Sequence, residues 1–181
     1  MTEETLKGII LTEELRQARI QAYIDVLKNL KHELQNDLHH RDYHQRLRKE
    51  TYERWLGYFE ETRRIENESP VREAWRRIII EGMGVDERFS EVVEENENLL
   101  VFESRNFCPI LEACKELRLD TRLVCETVYE LPVELICKQI HPHLSFTRDY
   151  SKIRCWEKDR GADYCKEIFF IPQWGDVRRI A

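Results

Sequence analysis

The segment LLVFESRNFCPILEACKELRLDTRLVC, Leu99 to Cys125, decides the fold. It opens on four apolar residues, Leu99 to Phe102, which read as a buried strand. Pro109 suits the first position of a helix, where its missing N–H would have no partner anyway. Cys108 therefore marks the junction between the strand and a helix running to about Leu117. Asp120 or Thr121 then caps a further helix through Val128. Pro132 starts another, closed by His141-Pro142.

Upstream, the chain reads as helix. Leu15, Ile20, Tyr23, Ile24, Leu27, Leu30, Leu34 and Leu38 recur mostly at spacings of three and four, with Thr12 as the N-cap. The apolar stripe resumes at Tyr52, Trp55, Leu56 and Phe59. Either one helix continues to about Glu66, or two meet near Asp37 to Asp42. So long an element needs an antiparallel neighbour or a second subunit, a homodimer through the N-terminal helices. Ser69-Pro70 begins the next helix, with Val71, Trp75, Ile78 and Ile79 inward and its end near Gly82 or Gly84. VDERFSEVVEEN reads as another short helix with Phe89, Val92 and Val93 inward and a solvated acidic end.

Downstream, the period changes. LSFTRDY, KIRCW and EIFFI are short β-rich runs, Gly161 separating the last two, and they predict a small antiparallel sheet. The expected class is α+β: a helical segment over 1–68, then a small α+β domain over 69–181.

Composition narrows the function. The net charge of −6 argues against a protein that coats nucleic-acid phosphates. The cluster Arg41, Arg46, Arg48 and Lys49 is interleaved with Glu50 and Glu53, as on a solvated helix face. No run of apolar residues is long enough to span a bilayer. The start, MTEETLKGII, has no basic-then-apolar signal pattern, so a cytoplasmic location is expected. There the six cysteines would stay reduced, leaving core, catalytic and ligand roles.

Cys114 and Cys137 sit among apolar neighbours inside helices and read as core. Cys108 differs, because a thiol at a helix N-terminus faces unpaired N–H groups that stabilise a thiolate. Cys165 precedes a strand just after a glycine turn, where a side chain can enter a cleft. The spacings contain no Cys-x2-Cys knuckle, so any metal site would have to be assembled by the fold.

Histidines and an arginine add candidates. His40 and His44 share a helix face with Glu33 and Asp37 before them, as ligands or as a polar surface. His141 and His143 flank Pro142 at a helix end, where the helix dipole favours them. Arg148 lies mid-strand. Pointing inward it needs Asp163, Glu157 or a substrate acid; pointing outward it would pair with Asp149 or Glu167.

Two pieces, LVFESRNFCPILEACKELRLDTRLVC and PHLSFTRDYSKIRCWEKDRGADYCKEIFF, resemble the L-2-amino-thiazoline-4-carboxylic acid hydrolase-like family and, more distantly, the 4-vinyl reductase small-molecule-binding domain. The resemblance spans roughly Leu99 to Phe170. It falls on Cys108, Cys125, Phe146, Arg148, Gly161, Asp163 and Cys165; the vinyl reductase pattern also takes in Cys155. The chain departs from the hydrolase-like pattern at Thr127, where an acid is usual, and at Glu167, where an aromatic is usual.

The resemblance implies a cysteine-dependent hydrolase of a small heterocyclic or amide-like carboxylic acid. Cys108 or Cys165 would be the nucleophile and His141 the proton carrier, with Arg148, Phe146 and Asp163 binding substrate. The alternative is a non-catalytic small-molecule or metal-binding sensor. In it Cys108, Cys125, Cys155 and Cys165 would hold zinc or an iron–sulfur cluster.

Overall fold

The computed structural model describes residues 13–28, 40–157 and 161–172, without the side chains of residues 40–44 and 127. Helix α1 spans Glu13–Leu27 and α2 spans His40–Glu60. The expected Thr12 cap and the junction near Asp37 lie outside the described residues. Helix α3 starts where Ser69-Pro70 predicts: the Ser69 hydroxyl accepts from the Arg72 N–H, and Pro70 occupies the first turn. After Pro70–Ala74 it widens into a π-helix over Trp75–Gly82, and Gly84, with φ 67°, turns the chain away.

Strand β1 is Ser90–Asn96 and β2 is Leu99–Ser104. They form a hairpin with Asn96 opposite Leu99, tightened by an Asn98 N–H bond to the Asn96 side chain. This corrects the helix expected at VDERFSEVVEEN, of which only the 3-10 turn Glu87–Phe89 is helical. A register shift between Val92 and Glu94 breaks the alternation that would have revealed the strand. Phe89 and Val93, expected inside, are exposed. β1 lies at the sheet edge, and its outward glutamates discourage pairing with another chain.

Helix α4, Pro109–Leu117, has Cys108 as its N-cap residue. Helix α5 is capped by Asp120, runs as α over Thr121–Val124, as π over Cys125–Tyr129, and again as α over Glu130–Ile140. Pro132 was expected to start a new helix, but it lies inside this one. The wider π turn, closed by the Glu130 N–H on the Cys125 carbonyl, lets the helix pass the proline without breaking. Strands β3, Ser145–Arg148, and β4, Cys165–Phe170, complete a four-stranded antiparallel sheet of order β1-β2-β4-β3. The expected strand at KIRCW is instead a loop.

One face of the sheet makes the core. Side chains at every second position point the same way. Leu100, Phe102, Phe146 and Phe169 therefore face α3 and α5, all nearly fully buried. An aromatic column runs outward from there. Phe169 lies 5.1 Å from Phe146, Phe146 is 6.2 Å from Tyr129 on α5, and Tyr129 is 5.1 Å from Trp55 on α2.

The helices of 1–68 thus share one core with the rest: Tyr23, Leu27, Leu47, Trp55 and Phe59 belong to the same buried cluster. Arg77 fastens α3 to the end of α2, lying 3.8 Å over the Phe59 ring and 2.8 Å from Glu73. The partner that the long helical segment needs is found within the chain. Among the described residues no helix is long and apolar enough to cross a membrane.

Candidate functional site

The buried face of the sheet is apolar at one end and polar at the other. Opposite Leu100 lies Phe169; moving along the strands, Phe102 faces Glu167, and Ser104 faces Cys165. Arg148 sits beside Glu167 from the other edge. This polar end floors a small cavity of about 30 Å³, room for a water molecule or two. Cys108, Ile110 and Leu111 close it from the start of α4. Thr121, Cys125 and Tyr129, four residues apart on α5, form a second wall. Ile79, Met83 and Val85, from α3 and the turn after it, form a third. Both π-helical stretches therefore front the same cavity, and such distortions recur at functional sites.

Arg148 and Glu167 are each 6% exposed and pair directly through Nη2 and Oε1. The guanidinium also lies 3.9 Å over the Tyr129 ring, a favourable cation–π arrangement. Burial alone would lower the Arg148 pKa, yet Glu167 together with Cys125, Tyr129 and Cys165 more than reverses that, and the group stays charged. Arg148 is thus inward, but its partner is Glu167, the residue expected for an outward-pointing arginine and the one that marked a departure from the family pattern. Its Nε atom is buried and has no partner among the described residues.

Arg154 is the residue that the sequence reading missed. It comes from the loop between β3 and β4, and its backbone N–H donates to the Cys165 sulfur at 3.4 Å. Gly161 lets that loop fold tightly, because a Cβ there would lie 2.4 Å from the Cys155 nitrogen. The Arg154 guanidinium reaches the cavity, and its Nε is likewise buried without a partner. The only sequence signal was a cation one residue before a cysteine.

The remaining candidates divide. Cys108, Cys125 and Cys165 line this cavity, whereas Cys155 lines a neighbouring pocket with Asp120, Arg122 and Trp156. Among the described residues no three His, Cys, Asp or Glu side chains are set to hold a metal ion, so the expected four-thiolate site for zinc or an iron–sulfur cluster does not fit this arrangement. His141 caps the far end of α5, its Nδ1 accepting from the His143 N–H. The eleven residues from Glu130 to Ile140 rise about 16 Å, so His141 is not brought to the thiols. Phe146 is 4% exposed and packs into the core, and Asp163 is exposed outside the cavity. Glu33, Asp37 and the side chains of His40 and His44 lie outside the described residues.

Burial also reverses the expectation of a helix-stabilised thiolate. It pushes the Cys108 thiol up, with Arg154 pulling the other way and losing. It pushes Cys125 up to about 12, against Arg148. Raised pKa values keep both as neutral thiols at pH 7. At pH 8, iodoacetamide is therefore expected to alkylate Cys125 roughly a thousandfold more slowly than an ordinary thiol, with the rate rising about tenfold per pH unit up to pH 10. Peptide mass spectrometry across that range would show it, and a rate levelling off by pH 9 would contradict it.

No protein-family model, curated protein or solved structure matches the chain. The family resemblance rests on the quoted motifs alone.

Proposed function

We propose that the cavity widens, by movement of its side chains, to bind a compact organic carboxylate and that the protein works as a small-molecule binding or sensing domain. The observation that carries this reading is an imbalance of charge. Among the described residues two arginines, Arg148 and Arg154, line the cavity with Glu167 as the one carboxylate, and each arginine has a buried Nε without an acceptor there. An unmade hydrogen bond at a buried charged group is costly, and a ligand carboxylate supplies both the missing charge and the missing acceptors. The apolar wall of Ile79, Val85, Ile110 and Leu111 suits a hydrocarbon body.

Binding is favoured over hydrolysis by the same geometry. A cysteine nucleophile is activated by a base within hydrogen-bond reach or by a lowered pKa, and burial raises the pKa of Cys108. Among the described residues no histidine lines the cavity, and Glu167 is engaged with Arg148.

The test is Arg154→Gln, which keeps a polar side chain of similar length in the loop. A panel of small carboxylates, including 3-methylbutanoate, is expected to raise the melting temperature of the wild type. The variant is expected to fold normally and bind the same acids at least about tenfold more weakly, as for a lost charge-assisted hydrogen bond. Equal stabilisation of both proteins would overturn the reading.

A further inference from the structure

A chain of hydrogen bonds ends at the cavity and has a direction. The Trp75 indole Nε1–H donates to Ser90 Oγ at 3.2 Å, and Ser90 Oγ lies 3.3 Å from Ser104 Oγ. An indole can only donate, and a hydroxyl has one hydrogen to give. Ser90 is 2% exposed; either hydroxyl could donate in this pair, and the Ser90 hydrogen has Ser104 Oγ within reach. If Ser104 donated to Ser90 instead, the Ser90 hydrogen would be stranded in the core, a desolvation cost that the opposite direction avoids. The chain therefore runs Trp75 to Ser90 to Ser104. Ser104, 3% exposed, lines the cavity, so its own hydrogen is aimed at whatever occupies that space.

Position fixes what that donor meets. Ser104 is directly across the β2–β4 pair from Cys165, the residue whose sulfur takes the Arg154 N–H. Cross-strand Cβ atoms lie about 5 Å apart. A carboxylate held by Arg154 would thus place the atom next to it within reach of Ser104.

We infer that Ser104 donates a hydrogen bond to the ligand, and that the site selects carboxylic acids with a second acceptor oxygen on the adjacent carbon, the 2-oxo and 2-hydroxy acids. This rests on the carboxylate reading above and adds the substituent that the site distinguishes.

The experiment titrates wild type, Ser104→Ala, Ser104→Cys and Ser90→Ala with 3-methylbutanoate and 3-methyl-2-oxobutanoate by calorimetry. Wild type is expected to bind the oxo acid about three- to tenfold more tightly, the value of one buried hydrogen bond. Ser104→Ala is expected to reduce that preference to less than about twofold. Ser104→Cys, which keeps the shape but donates weakly, is expected to do the same and serves if the alanine variant does not fold. Ser90→Ala leaves the Ser104 hydrogen in place and is expected to keep the preference. Equal binding of the two acids by wild type, or a preference that survives both Ser104 variants, overturns the inference and leaves the carboxylate site standing. If wild type binds neither acid, the carboxylate reading falls and takes this inference with it.

Discussion

Replacing Glu167 by leucine is expected to cost about 3–5 kcal/mol of stability, because it leaves the Arg148 guanidinium buried and uncompensated. Both side chains are 6% exposed, so water cannot take over the role of the lost carboxylate. For a chain of 181 residues this corresponds to a melting temperature lower by roughly 10 °C. The double replacement Arg148→Met with Glu167→Leu is expected to recover most of the loss, since a methionine can fill the space over Tyr129 without a charge. Denaturant unfolding of the four proteins closes the cycle. A single-variant loss below about 1 kcal/mol would mean that Glu167 does not compensate Arg148.

Trp55→Ala is expected to cost a comparable 3–5 kcal/mol or so. Trp55 is 2% exposed on α2, and its ring meets Tyr129 edge-on at 5.1 Å. Tyr129 in turn touches Phe146 of the sheet and lines the cavity. The cavity left by the indole would thus open in the middle of the shared core, under the wall of the site. Unfolding followed by both circular dichroism and fluorescence is expected to stay a single coincident transition at lower denaturant. A small loss, or two separate transitions, would show that the helices of 1–68 form an independent unit.

The elements legible in the sequence were those with local chemistry. Ser69-Pro70 and Asp120 supply their own caps, and Leu99 to Phe102 form a strand flanked by strands on both sides. Cys108 at the mouth of α4 followed from Pro109 alone. What stayed hidden depended on distant partners. β1 exists because β2 pairs with it through a bulge, and its acidic sequence alone looks like a solvated helix. Pro132 looks like a helix start until the π turn four residues earlier absorbs its missing N–H.

The site followed the same division. Three of its thiols and Arg148 were visible as types of residue at suggestive places. Glu167 was expected to pair with Arg148 only on the outer face, and the β3–β4 register sets the two together inside the core; Arg154 entered because Gly161 folds its loop back on Cys155. Helix-terminus reasoning gave Cys108 a lowered pKa, and burial, a property of the whole fold, reversed it.

The most direct measurement is a pair of calorimetric titrations of the wild-type protein at pH 7, one with 3-methylbutanoate and one with its neutral amide. The two share the same hydrocarbon body, and the amide has an N–H donor group in place of the charge and one acceptor oxygen that Arg148 and Arg154 would recognise. The expected result is an acid bound at least about tenfold more tightly than the amide, the worth of a charge-assisted contact over a neutral one. Equal affinities, or binding of neither, would contradict the assignment of this cavity as a carboxylate site.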